Sequence, residues 1–433
     1  MRVLFLPAYF KPEKAASDYL WDNLYEAFSE NDIVLETYAP SPCRGVPEEI
    51  RKEYRCKDEV LYDGHLVVKR FSLYAEGKNP ILRALRYVVC WFKQIRRGLS
   101  AKNCECVFLA STPPIQGMIG AFIKKYRKIP FIFNLQDIFP DSLVNNGLAK
   151  KGGLLWKIGR VIENFTYKHA DKIIVISEDF KQNIMAKGVP EDKIVVVYNW
   201  VDQNAVVDVP REENKMFDKY CLDKEKFYVA YSGNIGLSQN MEMLLEVASE
   251  FQEGLKCSKC LKGEESNPSN SSNSSNPYSD IQFVLVGEGA ALESVKRTVA
   301  EKKLENVHLL PFQPYEDISH VFSLGDVSLV ISKPGTGAAS VPSKTWSIMS
   351  ASRPVLANFD ENELKSIVEQ NECGIFTKAG DKEAFKEAIL KLYNDRDLCK
   401  EYGKNGRKFV MENLTREVGT QKYVDVIKSV CKK

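Results

Sequence analysis

Residues 335–354 read GTGAASVPSKTWSIMSASRP, and the second half of the chain takes its architecture from them. An apolar run, Val327-Ser328-Leu329-Val330-Ile331, comes just before, and Val355-Leu356-Ala357 comes just after. Short apolar runs bounded by Gly, Ser and Pro are the pattern of buried strands. Between them lies a Gly- and Ser-rich loop that ends at a helix start, Pro342-Ser343-Lys344. Backbone N–H groups at a helix N-terminus point outward, and the helix dipole favours negative charge there. Lys344 adds a point charge. The same residues also make an ordinary loop-to-helix junction with a capping serine. The flanking sequence has to decide between these two readings.

Outward from that stretch, the alternation of short strands and amphipathic helices repeats in both directions. Before it come Tyr228 to Tyr231, a helix over 240–251, Phe283 to Val286, a helix over 292–301 and His308 to Leu310. The first half opens on Arg2 to Leu6, a helical pattern through Tyr19, Leu20, Leu24, Tyr25 and Phe28, then Ile33 to Thr37. It continues with Leu66 to Phe71, Cys106 to Ala110, Phe131 to Asn134, Lys172 to Ile176 and Ile194 to Tyr198. Strands alternating with helices predict parallel sheets covered on both faces. The fold class is therefore α/β, with two Rossmann-like doubly wound domains facing across a cleft. Residues 1–203 form the first domain, 204–412 the second, and a closing helix in 413–433 packs back on the first. The charged segment 203–226 reads as a linker. Residues 254–280, with GEESNPSNSSNSSNPYSD, read as a flexible surface insertion, since little in them is apolar.

Composition narrows the function. A chain of 433 residues exceeds one ordinary core, and a net charge of +2 gives no field that would attract nucleic acid. No apolar run approaches the roughly 20 residues of a membrane span. The N-terminus, MRVLFLPAYFKPEK, reads as a first strand and not as a signal peptide. The 11 cysteines are scattered, which suits reduced thiols and a cytoplasmic setting. Cys257 and Cys260 form one C-x-x-C with no second ligand pair nearby, so no metal site is expected.

Candidate chemistry gathers at the carboxyl ends of the strands, where open parallel sheets bind ligands. In the second domain three glycine-bearing loops share that edge: Gly233-Asn234-Ile235-Gly236, Gly287-Glu288-Gly289 and the 335–354 stretch. Phe312 ends another strand there. Three such loops suit a nucleotide diphosphate, with Lys333 and Lys344 as candidate countercharges. In the first domain Asp137 and Asp141 follow a strand directly. Either can serve as a base or orient a hydroxyl, or be a plain turn or cap residue. Glu13, in the first strand-to-helix loop, lies at the same edge. The segment ILRALRYVVCWFKQIRRGL, residues 81–99, places Ile81, Leu85, Val88, Trp91, Phe92, Ile95 and Leu99 on one helical face. Arg83, Arg86, Lys93 and Arg97 lie opposite. A basic amphipathic helix with aromatics suits an anionic membrane surface, and equally a core contact.

Taken in order, YFKPEKAASDYL, NLQDIFPDSL, HADKIIVISEDFKQNI, VVVYNWVD, AYSGNIGLSQNMEMLLEVA, FVLVGEGA, SVPSKTWSIMSASRPVLA and GKNGRKFV resemble glycosyltransferase family 4 of the GT-B fold. The resemblance covers nearly the whole chain and is strongest to the bacterial branch that builds O-antigen, capsule and colanic acid. It implies a nucleotide-sugar donor held by the second domain, an acceptor held by the first, retention of configuration and no essential metal or other cofactor. Three departures stand out. Of two glutamates that many members carry, the second is Ser347 here and the first falls near Ala338 or Ala339. Asn234 and Ser238-Gln239 replace the usual Arg and Lys. Gln136-Asp137 stands where many relatives carry a histidine.

These readings together predict a peripheral enzyme at the inner face of the plasma membrane. It would bind a UDP-linked N-acetylamino or deoxy sugar through Gly233, Asn234, Gly236, Gly287, Glu288, Gly289, Phe312, Lys333, Ser343, Lys344 and Ser347. Asp137 would act on an acceptor saccharide linked to polyprenyl diphosphate, with Glu13 and Asp141 nearby. Arg83, Arg86, Trp91 and Arg97 would meet anionic lipid. A sugar-nucleotide epimerase of the same fold and a catalytically weak partner subunit are the alternatives.

Overall fold

Alternate residues of the strands point to opposite faces, and in this chain both faces are apolar. In the first strand Val3 and Phe5 enter one core while Leu4 and Leu6 enter another. Phe227, Val229 and Tyr231 divide in the same way from Tyr228 and Ala230. Sheets buried on both sides must be covered by helices on both sides. The computed structural model shows this for residues 1–13, 18–43, 45–74, 80–145, 149–254, 276–337 and 341–431. Most of the expected insertion, including Cys257 and Cys260, lies outside the described residues.

The first unit comprises residues 1–200 and 416–433. Its strands are β1 (Arg2–Phe5), β2 (Val34–Pro40), β3 (Glu59–Leu61), β4 (Leu66–Phe71), β5 (Cys106–Ala110), β6 (Phe131–Leu135), β7 (Lys172–Val175) and β8 (Ile194–Val196). They are ordered β3-β4-β2-β1-β5-β6-β7-β8. Every pair is parallel except β3–β4. The helices are α1 (Asp18–Glu30), α2 (Glu48–Glu53), α3 (Pro80–Ser100), α4 (Gln116–Arg127), α5 (Asp141–Asn145), α6 (Leu154–His169) and α7 (Glu178–Ala186). Strand order reverses between β1 and β5, which makes that point the switch of the sheet.

The second unit, residues 201–415, holds β9 (Phe227–Ser232), β10 (Ile281–Val286), β11 (Val307–Leu310), β12 (Val327–Ile331), β13 (Val355–Phe359) and β14 (Gly374–Lys378). Their order is β11-β10-β9-β12-β13-β14, with every pair parallel. The helices are α8 (Lys215–Lys219), α9 (Met241–Glu253), α10 (Leu292–Glu301), α11 (Ile318–Phe322), α12 (Lys344–Ser350), α13 (Glu363–Gln370), α14 (Lys382–Asn394) and α15 (Arg396–Asn413). The switch falls between β9 and β12. The chain then returns to the first unit as α16 (Arg416–Cys431). Tyr423, Val424, Ile427 and Val430 of α16 join the core built by Phe5, Phe28 and Phe108.

Segment 203–226 is not a bare linker. Met216 and Phe217 of α8 are buried at 0% and 1% exposure, against Tyr228 and Val284 under the second sheet. A few apolar residues in a charged stretch anchor it, and their spacing is too short to register as a periodic element. The boundary lies after Trp200, which is buried in the first core, while the Val201 N–H donates to Leu414 O.

Candidate functional site

Lys344, the first residue of α12, reaches back across the switch point between β9 and β12. Its Nζ lies 3.8 Å from the centre of the Tyr231 ring. The ammonium is shielded from solvent and has no hydrogen-bond partner among the described residues. Burial alone lowers its pKa from 10.5 to about 7, because removing an ammonium from water penalises its charged form. Attraction to the ring face offsets only part of that cost. A buried amine without a hydrogen-bond partner among the described residues is the feature expected of a cation kept for an external anion.

The loop beside it is glycine for a steric reason. Gly233 has φ +130°, and a side-chain carbon there would lie 3.4 Å from Lys344 Nζ. Gly287 has φ +146°, and a Cβ on it would sit 2.0 Å from Gly233 O. The loops therefore interlock. Ile235 N–H donates to Glu288 O at 2.7 Å, Ala291 N–H to Ile235 O at 2.9 Å, and Lys333 N–H to Ser238 O at 2.7 Å. Tyr231 Oη donates to Asn234 O at 2.6 Å and so holds the ring in place beneath the lysine.

The structure revises the expected role of the glycine N–H groups. Those of Gly335 and Gly337 donate to the two carboxylate oxygens of Asp360, at 2.9 and 2.7 Å. Gly236 N–H is taken by Gln239 Oε1 at 3.0 Å. These donors brace the loops against each other, which leaves Lys344 as the group with unmet charge. Asn234, Glu288 and Ser343 are exposed on the same edge, as is Phe312 at 69%. Ser347 lies one turn beyond Lys344 and is half-buried. Lys333 pairs with Glu242 at 3.8 Å and lines a separate cavity of about 120 Å³ between α9 and α10. Residues 338–340, where one family glutamate would fall, lie outside the described residues.

In the first unit Asp137 is exposed just past β6, and its N–H donates to Ser111 Oγ at 3.3 Å. It borders a cavity of about 20 Å³, room for a single water. Below it is a polar network that the sequence did not announce. Tyr423 Oη donates to Asn134 Oδ1 at 3.1 Å, Gln136 Nε2 donates to the same oxygen at 2.9 Å, and Asn199 Nδ2 donates to Gln136 Oε1 at 3.1 Å. No sequence spacing links Tyr423 to Asn134, whereas Asp360, at a strand's carboxyl end, could have been found by the logic that found Asp137.

Two acceptor-side expectations are corrected. The Glu13 carboxylate is buried and accepts the N–H groups of Cys43 at 2.7 Å and Phe10 at 3.3 Å. Asp141 pairs with Lys187 at 2.7 Å, and Lys187 also holds the buried Glu163 at 2.8 Å. Glu13 thus braces a loop, and Asp141 ties the start of α5 to the end of α7.

The largest correction concerns α3, which buries part of its polar side. Arg86 and Gln94 are fully buried. Arg86 donates to Tyr74 O at 3.3 Å and to Cys43 Sγ at 2.8 Å, while Gln94 Nε2 donates to Pro7 O at 2.7 Å. Arg97 lies 3.8 Å from Glu36. Trp91 meets Phe122 of α4 edge-to-face, and Phe122 in turn meets Phe165 of α6. The side chain of Arg83 lies outside the described residues. Carbonyls and a carboxylate at the sheet edge need donors, so Arg86, Gln94 and Arg97 turn in, while Lys93 and Arg96 stay exposed and Trp91 and Ile95 pack on the core. Leu82, Leu85, Val88, Phe92 and Leu99 are exposed. Leu154, Leu155, Ile158 and Val161 of α6 are exposed too, at 75%, 59%, 49% and 69%.

Comparison with known proteins accords with this geometry. The model "Glycosyltransferase Family 4" matches residues 22–205, and "Glycosyl transferases group 1" matches residues 212–409. WbjE of Pseudomonas aeruginosa, named as a glycosyltransferase, is 23% identical over 357 residues, 82% of this chain and 81% of its own length. WcaI of Escherichia coli K12, whose name places it in colanic acid biosynthesis, is 24% identical over 225 residues, 50% of this chain and 48% of its own. Anabaena HepE, solved with UDP, has a TM-score of 0.68 at 15% identity and covers 99% of this chain and 100% of its own. WaaG, a glycosyltransferase involved in lipopolysaccharide biosynthesis, has a TM-score of 0.63 at 10% identity, covering 99% of each chain.

Proposed function

The chain belongs to family 4 of the GT-B glycosyltransferases and acts in polysaccharide biosynthesis, and from that premise we propose that it transfers a sugar from a UDP-linked donor, with retention and without a metal ion, to a saccharide carried on polyprenyl diphosphate. The observation that carries this is the buried, unpartnered Lys344 Nζ at the switch point. A diphosphate placed there supplies the missing counter-charge and restores the lysine to its charged form. As the glycosidic bond breaks, negative charge grows on the leaving diphosphate, and a fixed cation in a water-poor site stabilises it. Asp137, exposed beyond β6, orients the acceptor hydroxyl or takes its proton. UDP as the leaving group is supported by HepE, which was solved with UDP and with UDP-glucose.

The lipid-linked acceptor is supported by the outward apolar stripes of α3 and α6. Lys150, Lys151, Lys157 and Lys168 are exposed near the α6 stripe and suit anionic headgroups. No described helix is long and apolar enough to cross a membrane.

The test is thermal unfolding against UDP-, GDP- and dTDP-sugars. A donor that binds only the folded protein raises the melting temperature. A shift with a UDP-sugar that vanishes in Lys344→Met supports the assignment, and an equal shift in both proteins refutes it. Conversion of a UDP-sugar to an isomer without acceptor would favour epimerase chemistry instead.

A further inference from the structure

The second unit has another cavity, at the opposite edge of its sheet from Lys344. It encloses about 420 Å³ at the amino ends of β12 and β13. Arg211, Arg353, Arg396 and Lys400 line it, together with Asp208 and Asp326. The strands between the two edges are about five residues long, so roughly 15 Å of sheet separates this cavity from the lysine.

The cations are held in position before any ligand arrives. Arg396 lies 4.1 Å from the Phe227 ring centre and 5.1 Å from that of Tyr393. Arg211 lies 5.2 Å from the Phe217 ring centre, and its Nη1 donates to Lys224 O at 2.9 Å and Lys226 O at 2.7 Å. Arg353 Nη2 donates to Ser323 O at 3.2 Å and Val209 O at 3.3 Å and pairs with Asp208 at 2.9 Å. Its Nε is cut off from solvent and has no partner. Burial lowers the pKa of Arg353, with Arg211 adding to the effect and Asp208 and Asp326 opposing it.

The lining carboxylates do not balance this charge. Asp326 is shared between Arg211 at 2.6 Å and Arg396 at 3.4 Å, and it also accepts the Tyr228 N–H at 2.8 Å. Lys400, on the rim, meets the exposed Asp397 at 3.2 Å. Exposed pairs of that kind are weak. With Asp397 counted beside Asp208 and Asp326, the four lining cations meet three carboxylates, a surplus of one charge. The Arg396 guanidinium, fixed by the two rings, presents a planar fork that matches a pair of phosphate oxygens.

We propose that this cavity is a second anion site, built for a small phosphate-bearing dianion such as a phosphomonoester and separate from the donor site. Arg396 and Lys400, consecutive along one face of α15, contribute the charge left over after internal pairing. Arg211 and Arg353 form the rigid back of the site. An occupant here does not compete with UDP.

The proposal rests on the donor reading only in calling this site the second one, and its test keeps the two apart. The full-length protein is titrated calorimetrically with inorganic phosphate and with glycerol 2-phosphate. This is done for wild type, Lys344→Met, Arg396→Gln/Lys400→Gln and Lys400→Glu. Saturable binding of either probe that survives Lys344→Met and weakens at least tenfold in the double variant and in Lys400→Glu is the expected result. Melting curves establish that both cavity variants remain folded. Preference for glycerol 2-phosphate identifies a phosphomonoester, and equal affinity identifies free phosphate. The cavity proposal is overturned by no saturable binding, by binding that disappears with Lys344→Met, or by binding indifferent to Arg396 and Lys400. Phosphate binding at the cavity in a protein that ignores every UDP-sugar would sink the donor reading and leave this one standing.

Discussion

Lys344→Met should make the ligand-free protein more stable while removing its donor affinity. Methionine keeps the length of the lysine stem and suits an apolar slot above Tyr231. Burial holds the folded lysine at about 7, against 10.5 in an unfolded chain. At 1.36 kcal/mol per pH unit that gap corresponds to about 5 kcal/mol. Water reaching the partly exposed stem reduces the cost, so a gain of about 2 kcal/mol is the working figure. The folded pKa is the lower one, so the unfolded chain binds the proton more tightly and the charged lysine opposes folding. The cost is complete below about pH 7, shrinks as pH rises from 7 toward 10.5, and is absent above that. For a domain of roughly 200 residues, about 2 kcal/mol raises Tm by about 4–8 °C. Thermal unfolding of both proteins at pH 7 and pH 9.5, each with and without UDP, measures all of this. The Met protein should melt higher at pH 7, the gap should narrow at pH 9.5, and UDP should stabilise wild type alone. A variant that melts at or below wild type at pH 7, or a gap that does not change with pH, would show that the amine is not isolated and would refute the argument.

Four further outcomes are expected. Asp360→Asn removes the charge from the acceptor that gathers the Gly335 and Gly337 N–H groups, so UDP affinity should fall about fivefold with a loss of about 1–2 kcal/mol in stability, read by calorimetry and melting. Leu155→Glu/Ile158→Glu on the exposed face of α6 should abolish association with phosphatidylglycerol vesicles without moving Tm, whereas Arg86→Ala, which removes a buried cation's contacts, should cost about 2–4 kcal/mol by denaturant titration. Tyr423→Phe leaves Asn134 Oδ1 one donor short and should cost about 1 kcal/mol while leaving UDP binding unchanged, as the network lies in the first unit.

Strand positions and the two doubly wound units were legible because burial on both faces leaves continuous apolar runs, such as Val327–Ile331 and Phe131–Leu135. The position of Lys344 at a helix start after a strand end was legible as well. Its isolation above Tyr231 was not, because β9 and α12 are more than a hundred residues apart in the chain. Facing direction was the weakest inference. Periodicity finds the two faces of α3, but only the sheet edge, with carbonyls of Pro7 and Tyr38 to satisfy, decides which face turns inward. For the same reason the sequence places Gly335 to Pro354 as a loop that runs into a helix start, but does not show where its glycine N–H groups go. Its glycines serve Asp360, a carboxylate that reaches them only through the pairing of β12 with β13. Local patterning, then, determined the elements, their order and the lysine. Tertiary structure decided which polar groups satisfy one another and therefore which charge is left over, because hydrogen bonding is settled by partners that the chain brings together only when it folds.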